Sequence, residues 1–142
     1  MSAASDAAPT RPVPAVTPDM APFWDAARRH ELAAQCCLDC GAFRFPAREV
    51  CSKCLSRRAE WRRASGRGRV FSVAVMHQAN HPWFAARVPY PVVVVELAEG
   101  ARMISTVVGV DPHGIAIGMP VEVDFEDVTA EISLPVFRPA AG

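Results

Sequence analysis

CCLDCGAFRFPAREVCSKC, residues 36–54, holds all five cysteines of the 142-residue chain. Cys37-Leu38-Asp39-Cys40 and Cys51-Ser52-Lys53-Cys54 are two C-x2-C pairs with ten residues between them. Each pair can close as a tight turn that presents two thiolates to one tetrahedral ion, while backbone N–H groups soften their charge. Gly41, directly after the first pair, supplies the permissive backbone such a turn uses. Four thiolates at this spacing suit zinc, and a single iron ion fits the same geometry. The segment between the pairs, GAFRFPAREV, is long enough for a hairpin. Cys36 is the spare, because pairing it with Cys40 gives C-x3-C and loses the short turn. The metal ligands are therefore read as Cys37, Cys40, Cys51 and Cys54. Four sulfur ligands leave no open coordination position, so the ion is structural and can neither activate water nor hold substrate. Its binding helps to fold a segment too small to own a core.

On the N-terminal side, residues 1–21 carry prolines at 9, 12, 14 and 18 and almost nothing large enough to pack, which predicts a disordered tail. The run PFWDAARRHELAAQ, residues 22–35, sets Phe23, Trp24, Ala27 and Leu32 on one stripe and predicts a short lead helix, with Pro22 suited to its first turn. The zinc ribbon is expected over residues 36–61. On the C-terminal side, VFSVAVMH, YPVVVVELA, ARMISTVVGV, PVEVDF and EISLPVF are five β-branched or alternating runs separated by turn material, with Glu99-Gly100 marking a hairpin between the second and third. Five short strands in so few residues predict a closed or nearly closed barrel over residues 62–139, and the OB-fold is the commonest such choice. The expected fold class is mainly β: lead helix, ribbon, five-stranded barrel.

A chain that is 51% apolar and 21% charged, with zero formal net charge, has material for one ordinary core plus a metal-held satellite and no overall excess of charge that seeks polyanions. It has no apolar run of membrane-spanning length and no basic-then-apolar leader, so a cytoplasmic location is expected. In a reducing cytosol clustered cysteines are metal ligands before they are disulfides. The charge is nevertheless polarised: nine basic residues against Glu49 and Glu60 between Arg44 and Arg69, and six acids with no lysine or arginine between Asp111 and Glu131. Two readings stay open, a solvated face partly matched by acids within the fold, or a surface for an anion or a partner, to which the guanidinium fork is suited. His77 and His81 have H-x3-H spacing, but Pro82 disfavours a helix there and they read as loop histidines. His30 and His113 have no motif around them. No nucleophile elbow, phosphate loop or dinucleotide fingerprint occurs, and Cys36 has no visible base, so an active site of the chain's own is not expected.

LAAQCCLDCGAFRFPAREVCSKCLS, then Trp61, SGRGRVFSVAV, VPYPVVVVELAEGARMISTVVG, and finally GMPVEVDFE with LPVF resemble, in that order from Pro22 to Pro139, the family catalogued as domain of unknown function 35. Ser52 stands where that family usually has proline, which leaves the four ligands intact. The resemblance implies a helical lead-in, a rubredoxin-like zinc ribbon and an OB-fold. It further implies a non-catalytic accessory subunit that completes or stabilises a thiolase-fold enzyme of the sterol-carrier type acting on acyl-CoA thioesters, or a MaoC-like enoyl-CoA hydratase, with acyl-CoA at a shared site. The partner would perform the carbon–carbon cleavage, condensation or acyl transfer. Trp24, Trp83, Phe84 and Tyr90 are candidates for partner contact, the other reading being local packing at the barrel mouth. The rival function, a nucleic-acid module, is disfavoured because the two middle strands carry only Tyr90 and Arg102 where stacking aromatics along a basic groove are needed. An independent thioesterase is disfavoured by the missing base and nucleophile pair.

Overall fold

The computed structural model describes residues 8–141; residues 1–7 of the expected tail lie outside them. Helix α1 spans Ala21–Arg28, begins with proline in its first turn and buries Phe23, Ala26 and Ala27. It is shorter than the expected 22–35. His30 takes a left-handed backbone (φ 59°), its N–H bonds to Ala27 O at 2.8 Å, and the Glu31 N–H reaches back to Ala26 O at 3.0 Å. This is a Schellman closure, made with histidine where glycine is usual. The residues that follow are extended: Ala33–Cys37 is β1, paired on either side with β2 (Phe43–Arg44) and β3 (Ala59–Arg63).

The second sheet has the order β6-β5-β4-β7-β8, with β4 Arg67–Met76, β5 Tyr90–Leu97, β6 Arg102–Ser105, β7 Pro120–Asp127 and β8 Ser133–Pro139. β4 is the shared strand: Gly68 faces Leu97 of β5 on one side and Val121 of β7 on the other. A Cβ at Gly68 would lie 2.5 Å from the Glu96 carbonyl oxygen, so only glycine lets the strands approach there. A register shift between Val70 and Ser72 leaves Phe71 as a bulge, which bends the strand. The Glu99-Gly100 hairpin joins β5 to β6, with Gly100 at φ 103°. The barrel closes where the segment after β6 runs parallel to β8, through Phe137 N–H to Thr106 O (2.9 Å) and Val108 N–H to Phe137 O (2.8 Å). Five strands in this order with a parallel seam make an OB-fold. A short helix α2, Pro82–Ala85, bridges β4 and β5.

One core serves both sheets. Val70, Val93, Val95, Val121 and Phe137 are fully buried, and Phe23 and Leu32 of the lead-in and Ala64 after β3 belong to the same cluster. Phe23 also meets Phe45 of the ribbon at 5.0 Å between ring centroids. Part of the expected tail is tied down: Arg11 pairs with Glu126 of β7, and its guanidinium lies 4.7 Å from the Trp83 ring. The basic stretch is partly matched by nearby acids, Arg58 by Asp39 (3.2 Å), Arg63 by Glu31 (3.8 Å) and Arg62 by Glu60. The acidic segment pairs elsewhere, with Arg138, Arg11 and His30. No helix among the described residues is long and apolar enough to cross a membrane.

Candidate metal centre

The two C-x2-C segments fold as near copies of one another. The Cys37 N–H bonds to Ala42 O and Gly41 N–H returns to Cys37 O; the Cys51 N–H bonds to Ser56 O and Leu55 N–H returns to Cys51 O, all at 2.9 Å. Each turn ends in a left-handed residue directly after its second cysteine, Gly41 at φ 77° and Leu55 at φ 64°. β1 delivers Cys37 to one turn, and the strand pair β1–β3 fixes where the chain returns after the other, through Cys37 opposite Ala59.

The result is a cluster of the sulfurs of Cys37, Cys40, Cys51 and Cys54, all within 4.8 Å of one another. Sγ of Cys37 lies 3.5 Å from that of Cys54, and Sγ of Cys40 lies 3.6 Å from that of Cys51. A tetrahedron of sulfurs about 2.3 Å from a zinc ion has edges of about 3.8 Å, so the donor set fits such an ion in number, chemistry and spacing. Cys37 and Cys51 are buried, while Cys40 and Cys54 are exposed. The buried pair is nevertheless the acidic one. The Cys40 N–H, followed by that of Asp39, lowers the Cys37 thiol to about 6, and the N–H groups of Cys54 and Lys53 hold Cys51 below the ordinary thiol value. Cys54 moves the other way, to about 12. The Ser56 N–H favours its thiolate, but the hydrogen bond with the Cys37 sulfur, desolvation, and the Cys40 and Cys51 sulfurs outweigh that help. For Cys40 the Ala42 N–H is likewise outweighed, by burial and by Cys51 and Cys37, and its pKa is raised. Backbone dipoles thus favour the thiolate at Cys37 and Cys51, while at Cys40 and Cys54 the neighbouring sulfurs and burial favour the thiol.

Cys36 is fully buried and turns away from the cluster, its Sγ 3.5 Å from Gly41 O. His77 stacks on His113, with 5.6 Å between ring centroids, and Nδ1 of His81 caps α2 by accepting the Trp83 N–H at 3.1 Å, so the H-x3-H histidines are separately engaged. The Arg87 and Arg11 guanidiniums both lie over the Trp83 ring, at 3.5 and 4.7 Å from its centroid, and Trp83 meets Phe84, which in turn meets Tyr90 at 5.4 Å. Trp24 packs edge-on against Phe23. One polar contact has no sequence signal: His30 Nε2 lies 2.8 Å from Asp127 Oδ1, which also accepts from Ser133 Oγ at 2.5 Å. Asp127 sits between the other two, so no hydroxyl is aimed at the imidazole. The group instead fastens the end of α1 to β7 and β8, and the Ser133 hydroxyl, then His30, keeps the Asp127 carboxyl below its usual range.

Fold and site define a class: a rubredoxin-like ribbon, with four cysteine sulfurs positioned to bind a metal ion, joined to an OB barrel. The family described as ChsH2, rubredoxin-like zinc ribbon domain, matches residues 24–60, and that described as ChsH2, C-terminal OB-fold domain, matches residues 61–126. A DUF35 domain-containing scaffold protein of Methanothermobacter thermautotrophicus is 39% identical over 105 residues, covering 73% of this chain and 78% of that protein. The chain belongs to the DUF35 family. It is 42% identical over 130 residues to a probable enoyl-CoA hydratase alpha subunit of Thermomonospora curvata, covering 92% of this chain but 40% of that subunit. Among solved structures, a chain of the Ltp2-ChsH2(DUF35) aldolase superposes with a TM-score of 0.79 at 40% identity, covering 91% of this chain and all of that one.

Proposed function

We propose that this chain is a zinc-binding accessory subunit without turnover of its own, which binds and completes or stabilises a thiolase-fold enzyme acting on acyl-CoA thioesters. The observation that carries the reading is the superposition, over its full length, of a chain solved as part of an aldolase. Carbon–carbon bond cleavage is accordingly the partner's reaction, and acyl-CoA lies at or near the junction of the two. A closed sulfur site and a barrel packed solid with Val70, Val93, Val95 and Phe137 suit a scaffold. A second reading has its own support: the relative named as a hydratase alpha subunit is more than twice as long as the matched segment, which favours a MaoC-like hydratase as the partner. Coexpression with each class of enzyme, followed by size exclusion, separates the two: the true partner coelutes with this chain, and coelution with neither removes the proposal.

In this reading Cys37, Cys40, Cys51 and Cys54 hold one zinc ion, which folds the ribbon and contributes no catalytic step. Loading the metal-free protein at neutral pH should release protons, because zinc binds thiolates and the cysteines give up their thiol protons to it. Protons compete with the metal for these sulfurs, so zinc affinity should rise with pH. Titration in two buffers of different ionisation enthalpy checks this, and a pH-independent affinity with no proton release would contradict the ligand assignment.

A further inference from the structure

An antiparallel sheet with one face on the core ordinarily shows a polar second face to water. The run YPVVVVEL does not allow this in β5: Val93, Val95 and Leu97 are buried in the barrel, which turns Val92 and Val94 outward. Their neighbours across the strands extend the same face. Val94 lies between Ser72 of β4 and Ile104 of β6, and Val92 lies opposite Ala74. Ile104 is 73% exposed and the bulged Phe71 is 46% exposed. Glu96 is the sole acid in these three strands, and it is held by Arg102 at 2.9 Å. The Arg102 guanidinium in turn covers the Phe71 ring at 3.8 Å. At the base of β4, Arg67 and Arg69 are exposed and make no ion pair among the described residues; Arg67 lies opposite Glu122 of the neighbouring β7, and Arg69 Nη1 donates to Gly118 O at 3.0 Å. An apolar strip of this kind, bordered by charge, marks an interaction surface.

We infer that the outer face of β4, β5 and β6 is where the enzyme subunit docks, presenting an apolar strip to Phe71, Val94 and Ile104 and carboxylates to Arg67 and Arg69. This rests on the accessory-subunit reading above and adds the location and chemistry of the contact. A second copy of the chain fits less well, because β4, β5 and β6 hold a single acid, Glu96, and Arg102 already takes it. Single-stranded nucleic acid also fits less well, because Val92, Val94 and Ile104 stand where bases need aromatic rings.

The test uses the full chain and the enzyme subunit that coelutes with it, comparing Ile104→Glu and Phe71→Ser with Val16→Glu. Val16 is 51% exposed and lies before α1, outside the cysteine turns and strands β4, β5 and β6. Metal content and far-ultraviolet circular dichroism certify that each variant is folded. Titration calorimetry should show both face variants weakened roughly tenfold or more, with the Val16 variant like wild type. If wild type binds the subunit and both face variants bind equally well, the docking face is wrong while the accessory role stands. Failure of wild type to bind any enzyme subunit removes the accessory role and this inference with it. A homodimer dispersed by Ile104→Glu, or tight oligonucleotide binding lost in Phe71→Ser, would assign the face to another occupant and also overturn the inference.

Discussion

Cys40→Ser combined with Cys51→Ser should abolish metal binding and leave residues 36–58 unfolded. The two sulfurs come from different turns and sit 3.6 Å apart, so the double change removes half of the tetrahedron and one anchor from each turn. The ribbon has only the three short strands β2, β1 and β3, and its hydrophobic support is borrowed from α1 and the barrel. Isolated modules of this size draw an apparent 10–16 kcal/mol, roughly, from zinc. No packing change within the ribbon replaces that. Elemental analysis should fall from about one zinc per chain to none, with loss of soluble protein. Cys36→Ser should keep the metal, because its Sγ faces the Gly41 carbonyl and not the cluster. Full metal retention in the double variant would refute the assignment.

Phe137→Ala should be the most damaging single change in the barrel. Phe137 is fully buried, and its backbone carries the parallel seam with Thr106 and Val108. Truncating a buried phenylalanine commonly costs about 3–5 kcal/mol, a large fraction of the stability of a domain this size. Because Phe23, Leu32 and Ala64 share the core with Phe137, the ribbon should lose its support in the same event. Urea titration should therefore show metal release and loss of β structure moving together to lower denaturant. Two well-separated transitions would show that ribbon and barrel are independent units.

The cysteine spacing and the five apolar runs made the ribbon and barrel readable from sequence, because both signals are local: a turn closes over four residues, and alternation exposes a strand. The Glu99-Gly100 hairpin was legible for the same reason, since Gly100 must take a positive φ. What escaped depends on partners far apart in the chain or on a residue in an unusual role. α1 stops early because His30 accepts the left-handed conformation, and no glycine announced it. That histidine meets Asp127, 97 positions away. Arg11 lies in a proline-rich stretch that reads as free, yet Glu126 and Trp83 hold it. The basic stretch did not reveal which arginines would find acids: Arg58 and Arg63 do, whereas Arg67 and Arg69 make no ion pair among the described residues. The four valines in a row were visible from the start, but which two face outward is decided only by the register with β4 and β6.

The most direct test of the accessory role is the rate of carbon–carbon cleavage of a β-hydroxyacyl-CoA by the proposed thiolase-fold partner, purified after expression with and without this chain. The proposal predicts a stable complex, a rate at least roughly tenfold higher in it, equivalent to about 1.4 kcal/mol of barrier, and no turnover by this chain alone. A partner equally soluble and equally active without the chain, or acyl-CoA turnover by the chain on its own, would contradict it.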